Sequence, residues 1–120
     1  MRYERTLWRT FFVLLCGLLL AGFGTGLAAD EDELADRLRR RTGVEGGLIV
    51  QLGVDDGRLT AALGADESCV VHGLDADGGD VRRERKYIKD GGLYGRISVE
   101  RWAGDSLPYA ANLVNLLVVE

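Results

Sequence analysis

The chain contains few of the side chains that carry metal and nucleophilic chemistry. Its 120 residues include one histidine, His72, and two cysteines, Cys16 and Cys69. Zinc sites are usually coordinated by several histidine or cysteine side chains. We therefore exclude a histidine-based zinc site and interpret His72 and Cys69 as ordinary strand residues. The length leaves room for one domain at most.

The first 29 residues differ in pattern from the rest. Arg2, Arg5 and Arg9 precede an almost wholly apolar run at 11–23, and small residues follow as far as Ala29. This order is typical of a secretory signal peptide. The run is shorter than the about 20 apolar residues of a spanning helix. We predict a signal peptide at 1–29, with an uncleaved N-terminal membrane anchor as the alternative, and hence an exported periplasmic or secreted protein.

The net charge of residues 30–120 limits the kinds of partner that this part of the chain can bind. The whole chain has 15 basic and 19 acidic residues, a net charge of −4. Residues 1–29 carry three arginines and one glutamate, so the rest has a net charge of −6. An acidic chain lacks the basic stripe with which proteins neutralise phosphates, so we expect no nucleic-acid partner. With 1–29 removed, Cys69 stands alone and cannot form an internal disulfide.

The rest of the chain alternates between helical and β-prone segments. Residues 30–45 predict an amphipathic helix and linker, because acids precede bases and Leu34 and Leu38 share one stripe. We predict strands at 48–52, 69–74, 96–102 and 112–119 and helices at 58–63 and 77–89. This alternation indicates βαβ units. The expected fold is α/β, a three-layer Rossmann-like parallel sheet of about four strands, with the last strand buried on both sides.

A glycine-containing turn and a later acid predict a ligand site. The stretch LIVQLGVDDG runs from a strand into a turn that opens a helix. Glycine lets a ligand approach the backbone, and amide groups at a helix start can hydrogen-bond ligand oxygens. Asp75 lies 18 residues beyond Gly57, after the next strand, where an acid accepts hydrogen bonds from ribose hydroxyls. The alternative is that Gly53 and Gly57 make only a tight turn and that Asp75 caps the next helix.

At these residues the chain resembles a known family. The run from Gly46 to Val119 is similar to the N-terminal half of a class I S-adenosylmethionine-dependent methyltransferase. The resemblance rests on the segments QLGVDDG, HGLDAD, RWAGDSLPY and NLVNLLVVE. The run is also similar to the methyltransferase-like region of exported bacterial proteins that carry a PQQ-binding-like β-propeller. The resemblance implies a partial methyltransferase-like Rossmann domain at 46–120, with a C-terminal continuation such as a β-propeller.

The resemblance implies S-adenosylmethionine as the cofactor and assigns its contacts. Gly53 and Gly57 would flank the methionine and ribose. Asp75 would hold the ribose hydroxyls, and Leu74 and Ala76 would border the adenine. No catalytic residue is assigned.

The chain departs from the family pattern at four positions. Gln51 replaces the acid of the first motif, and Asp55 replaces its middle glycine while remaining in the cofactor loop. Ala103 replaces the acid that contacts the adenine amine, a role that Asp105 can take only if the loop shifts. Asn115 replaces an acid of the fourth strand.

Two functions follow from these observations. The first is a S-adenosylmethionine-binding, methyltransferase-like domain, incomplete and weakly active or inactive as this chain. The second is a non-catalytic, degenerate Rossmann scaffold or interaction module of a larger exported protein. A NAD-binding domain is a weaker third, because its G-x-G-x-x-G arrangement is not met by Gly53 and Gly57 alone.

Three smaller expectations complete the analysis. Asp55, Asp56 and Asp75 do not form the loop of about six oxygens that a hard cation needs, so we expect no metal. Trp102 and Tyr109 either border an adenine or pack as a rim. The uncharged last strand predicts self-association through an exposed edge.

Overall fold

The computed structural model describes residues 26–120. Its helices are α1 (Gly26–Thr42), α2 (Arg58–Leu63) and α3 (Gly78–Asp90), and its strands are β1 (Gly47–Leu52), β2 (Cys69–Asp75), β3 (Ile97–Arg101) and β4 (Val114–Val119). The predicted signal peptide or anchor lies outside the described residues, apart from its last four, which open α1. Within residues 26–120, no helix is long and apolar enough to cross a membrane.

The four strands form one parallel sheet in the order β3-β2-β1-β4. The predicted α/β fold is thereby confirmed. Because β2 and β3 extend the sheet on one side of β1 and β4 lies on the other, the strand order reverses between β1 and β4. Parallel α/β sheets bind ligands at such a point, outside the carboxyl ends of the strands.

The core lies between one face of the sheet and the helices. Ile49, Val71 and Ile97 form its sheet side and are fully buried. Leu63 of α2 and Ile88 of α3 pack against them. The small residue Gly64 permits this packing, since a Cβ there would lie 2.3 Å from Ile97 Cδ1. Burial of these side chains stabilises the fold by roughly 1.5–3 kcal/mol each.

Helix α3 buries one acidic residue among its apolar ones. In the sequence, Val81, Arg85 and Ile88 are spaced for a helix whose outer face is basic. In the structure the buried positions are Val81, Glu84 and Ile88, whereas Arg85 is exposed. Arg85 instead donates from Nε to the Val99 carbonyl at 2.7 Å. The inner face of α3 therefore carries a carboxyl group into the core.

Strand β4 begins with a bulge that Asn115 fills. Leu48 pairs with Val114 and Ile49 with Leu116, so Asn115 is the extra residue. Its Oδ1 accepts a hydrogen bond from the Leu48 amide at 2.9 Å. Asn115 thus has a structural role at the amino end of the strand, far from the carboxyl edge.

Strand β4 is not buried on both sides, contrary to the sequence-based expectation. Its side chains alternate, with Val118 buried while Leu117 is 44% and Val119 67% exposed. Within the described residues it pairs only with β1 and forms an edge of the sheet. A segment of twelve residues, 102–113, joins it to β3 without a helix.

The exposed edge predicts self-association through β4. Replacing Leu117 by lysine is expected to weaken association of the full chain about tenfold, because a charge on an edge strand opposes pairing with another edge. Val70→Lys is the matched control, since Val70 is 48% exposed but belongs to an inner strand. Sedimentation velocity over a range of concentrations measures the effect. Equal weakening by both substitutions would contradict a role for the edge.

Candidate functional site

The loop that follows β1 lies at the carboxyl edge and depends on two glycines. Gly53 and Gly57 have φ angles of 80° and 87°, a region that side chains disfavour. A Cβ on Gly53 would lie 3.3 Å from the Glu120 carbonyl oxygen. A Cβ on Gly57 would lie 3.0 Å from both Glu84 Cγ and Tyr87 Cδ1. The glycines therefore let the loop pack closely against the end of β4 and against α3.

Asp75 connects this loop with the end of β2. Its Oδ2 accepts a hydrogen bond from the Val54 amide at 2.8 Å, and its Oδ1 accepts one from the Asp77 amide at 2.7 Å. Asp77, not Asp75, is the N-cap of α3, because its Oδ1 accepts from the Gly79 and Asp80 amides. An ionised carboxylate has about four acceptor positions. Asp75 therefore retains acceptor capacity for ligand hydroxyls.

The two acids within the loop form surface ion pairs. Asp55 has a side chain 90% exposed and lies 3.7 Å from Arg83. Asp56 accepts from the Arg58 amide at 3.1 Å and pairs with Arg58 Nε at 3.2 Å. Over residues 26–120, no group of three or more histidines, cysteines, aspartates or glutamates is placed to hold a metal ion.

A buried polar network lies beneath the loop. The Nε2 of Gln51 donates to Glu120 Oε2 at 2.9 Å and to the Gly53 carbonyl at 3.2 Å. Its Oε1 accepts from the Thr60 hydroxyl at 2.8 Å. The same hydroxyl contacts Glu84 Oε1. Gln51, Thr60 and Glu84 are each at most 1% exposed. The network thus connects the centre of α3 with the carboxyl ends of β1 and β4.

Burial changes the acidity of both carboxyl groups in this network. Burial raises the pKa of Glu84 to about 7, with a further contribution from the charges of Glu120, Asp75 and Asp56, while the Thr60 hydrogen bond opposes the rise. Burial likewise raises the pKa of Glu120, opposed by its hydrogen bond with Gln51. The second carboxyl oxygen of Glu84 is buried and has no partner among the described residues.

Two cavities open at the carboxyl edge. The smaller has a volume of about 60 Å³, lies at the ends of β1 and β4, and is lined by Glu31, Gln51, Asp55, Asp56, Gly57, Leu59 and Glu120. Four of these seven residues carry carboxyl groups. The larger has a volume of about 390 Å³, lies at the ends of β2 and β3, and is lined by Ala76, Arg101, Trp102 and Ala103. Its volume falls within the range of small-molecule sites.

The structure brings some of the predicted site residues together and separates others. Gly53, Asp55, Gly57, Asp75 and Ala76 lie along the carboxyl edge. Leu74 is buried, and its carbonyl accepts from the Gly53 amide at 2.9 Å. The exposed Asp105 accepts a hydrogen bond from the adjacent Ser106 amide at 2.9 Å.

Trp102 and Tyr109, the two aromatic residues considered as neighbours of an adenine, make separate contacts in the structure. Trp102 lines the larger cavity, and its Nε1 donates to the Ser106 carbonyl at 2.7 Å. Tyr109 instead contacts His72 through its hydroxyl, and the two rings meet edge to face at 5.7 Å. Burial lowers the pKa of His72. One aromatic residue therefore remains as a candidate for base contact.

Sequence reasoning missed three residues of this edge. Glu120 directly follows an apolar strand, the same signal that identified Asp75, so it was recognisable. Arg101 ends β3 and offered a similar signal. Glu84 was obscured, because a charged residue on a helix is normally assigned to its outer face.

Comparison with solved structures assigns the fold. A protein of Methanococcus maripaludis, described as an S-adenosyl-L-methionine-dependent methyltransferase, superimposes on 83% of the chain with a TM-score of 0.70 and 23% identity. A protein of Galdieria sulphuraria, described as a sarcosine dimethylglycine methyltransferase, superimposes on 73% with a TM-score of 0.65 and 20% identity. The chain has the fold of class I methyltransferases.

The likeness extends to a ligand-bound methyltransferase but covers part of each neighbour. Coclaurine N-methyltransferase, solved with N-methylheliamine and S-adenosylhomocysteine, superimposes on 73% of the chain with a TM-score of 0.59 and 16% identity. The chain spans 46%, 34% and 27% of the lengths of these three proteins, in the order given. No protein-family model and no curated protein matches its sequence.

Proposed function

We propose that the chain binds S-adenosylmethionine across the carboxyl edge of its sheet. The observation that carries the proposal is the position of Asp75 in the strand order, between one cavity at the ends of β2 and β3 and another at the ends of β1 and β4. The adenine would occupy the cavity beside Ala76 and Trp102. The ribose hydroxyls would bind Asp75, and the methionine part would extend along Gly53.

The charge of the smaller cavity supports the proposal. Glu31, Asp55, Asp56 and Glu120 surround it, while S-adenosylmethionine carries a cationic sulfonium and an ammonium group. Carboxylates that line a solvent-accessible cavity attract a cation through a partly screened field. When bound, the cofactor supplies a reactive methyl group on sulfur, and the protein contributes binding and orientation.

Methyl transfer itself is a second step of the proposal. The chain spans less than half of the length of each structure neighbour named above. We therefore propose cofactor binding with weak or no transfer by this chain alone. The acceptor would be bound by elements beyond those described.

Isothermal titration of S-adenosylmethionine and S-adenosylhomocysteine into the full chain tests the proposal. Asp75→Asn is expected to weaken binding about tenfold or more, because one oxygen that accepts hydrogen bonds becomes an NH₂ donor. Asp77→Asn is the matched control, since asparagine also caps a helix and this residue faces α3. It is expected to bind within about twofold of the unchanged chain.

Two outcomes would contradict the proposal. Absence of binding to a chain that unfolds cooperatively on heating would leave the non-catalytic scaffold, in which the glycines and Asp75 serve only packing. Equal binding by Asp75→Asn and the unchanged chain would show that the ligand lies elsewhere.

A further inference from the structure

The larger cavity at the carboxyl edge presents hydrogen-bond donors to its contents. Arg101, the last residue of β3, pairs in register with Asp75. Its Nε donates to the Ala76 carbonyl at 3.1 Å, which fixes the plane of the guanidinium group. Within residues 26–120, its two terminal nitrogens form no hydrogen bond or ion pair with the protein. The donor groups of Arg101 are therefore available to a ligand in this cavity.

No side chain that lines this cavity can accept a hydrogen bond. The lining consists of two alanines, an arginine and a tryptophan. Arginine and tryptophan are donors only, and alanine has no polar group. The nearby Asp105 is outside the lining and accepts from its neighbour Ser106. A ligand that offers acceptors is therefore matched by these side chains, whereas a ligand that offers an amine is not.

We propose that Arg101 selects the base of the bound nucleoside and favours a 6-oxopurine. This inference rests on the proposed function, since it assumes that a purine occupies the cavity. A guanidinium group pairs bidentately with O6 and N7 of a 6-oxopurine, as arginine does with guanine. Adenine has an amine at position 6, which Asn or Gln recognises together with N7. Arg101 therefore binds the adenine edge at N7 alone and the hypoxanthine edge at two atoms.

Competitive titration of two thioether nucleosides into the full chain tests this assignment. S-inosylhomocysteine, which has a carbonyl group at position 6, is expected to bind about tenfold tighter than S-adenosylhomocysteine. Arg101→Ala is expected to reduce the preference to about twofold or less. Arg101→Gln is expected to reverse it, because glutamine pairs with the amine and N7 of adenine. Thermal unfolding by circular dichroism establishes that each variant is folded.

Lys89→Ala is the control for loss of one positive charge, since Lys89 is exposed on α3 and does not line this cavity. It is expected to keep the preference of the unchanged chain. Adenosyl binding without a preference, or a preference that survives Arg101→Ala, overturns the assignment and leaves the proposed function intact. If neither nucleoside binds a folded chain, both proposals fail.

Discussion

Replacing Glu84 by glutamine is expected to raise the free energy of unfolding by about 2–3 kcal/mol at pH 8 and to change it little at pH 4. The reason is the burial of Glu84 among Thr60, the glycine loop and the centre of the sheet, which raises its pKa to about 7. Glutamine retains the size and hydrogen-bonding capacity of the neutral acid but cannot ionise.

Burial causes Glu84 to hold this proton, and the hydrogen-bond network accommodates the neutral acid although a Thr60 hydroxyl that donates to its carboxylate would favour the charged form. Thr60 has one hydroxyl hydrogen but contacts two oxygens, Gln51 Oε1 and Glu84 Oε1. If Glu84 is ionised, the Thr60 hydroxyl can donate its hydrogen to only one of these two oxygens, and its contact with the other is not a hydrogen bond. If Glu84 is neutral, it donates to Thr60, Thr60 donates to Gln51, and Gln51 donates to Glu120. Every contact along the chain of donors then has one hydrogen.

The direction of the pH effect follows from the pKa difference between the two states. The pKa of Glu84 is about 7 in the folded state and 4.5 as its ordinary value. Below pH 4.5 both states hold the proton, and its contribution to stability is complete. As the pH rises toward 7, the unfolded state ionises first and stability is lost, up to roughly 3 kcal/mol. Above pH 7 both states are ionised and the loss is constant.

Urea unfolding of the full chain from pH 4 to pH 8 measures this effect. Glu67→Gln is the matched control, because it removes one exposed carboxylate and leaves the network unchanged. The free energy of unfolding of this variant is expected to depend on pH as that of the unchanged chain does. Glu120 contributes a slope of the same sign in every variant, since its pKa is also raised. If Glu84→Gln and the unchanged chain lose stability in parallel above pH 5, the proton is not held at Glu84.

The carboxyl edge was predictable because local signals determine it. A β-prone run followed by Gly53 fixes the end of β1, and an acid after the next run identifies Asp75. Parallel pairing then brings the two ends together, as confirmed by the hydrogen bond from the Val54 amide to Asp75. Sequence alone gave the order of strands and helices for the same reason, because apolar runs and glycine breaks are local.

The buried network was not predictable, because its members gain meaning only through contacts between distant elements. Gln51 appears in the sequence as the loss of an acid, yet Glu120 brings a carboxylate to it from 69 positions away. Glu84 occupies an inner position of α3, where its carboxyl group contacts the hydroxyl of Thr60, 24 positions away in the sequence. The exposure of β4 depended similarly on which elements cover it. The buried network and the exposure of β4 therefore depend on contacts between residues that are far apart in the sequence.

Replacing Gly57 by alanine is expected to destabilise the chain by about 3 kcal/mol. Its φ of 87° costs a residue with a Cβ about 1–2 kcal/mol. A Cβ there would also lie 3.0 Å from Glu84 Cγ, which its buried hydrogen bond with Thr60 keeps in place. The displacement adds a cost of about 1–3 kcal/mol, as in other overpacked interiors.

Gly92→Ala separates the two contributions. Gly92 has a comparable φ of 69°, but a Cβ there meets nothing within 4 Å. It is therefore expected to cost only the conformational part, about 1–2 kcal/mol. Urea unfolding at pH 6 compares the two variants. An equal loss of unfolding free energy in both variants would mean that α3 moves to accommodate the added methyl group at little cost. A larger loss for Gly57→Ala would show that α3, through Glu84 and Tyr87, is held against Gly57, so the loop at the carboxyl edge takes its position from the helix packed beneath it.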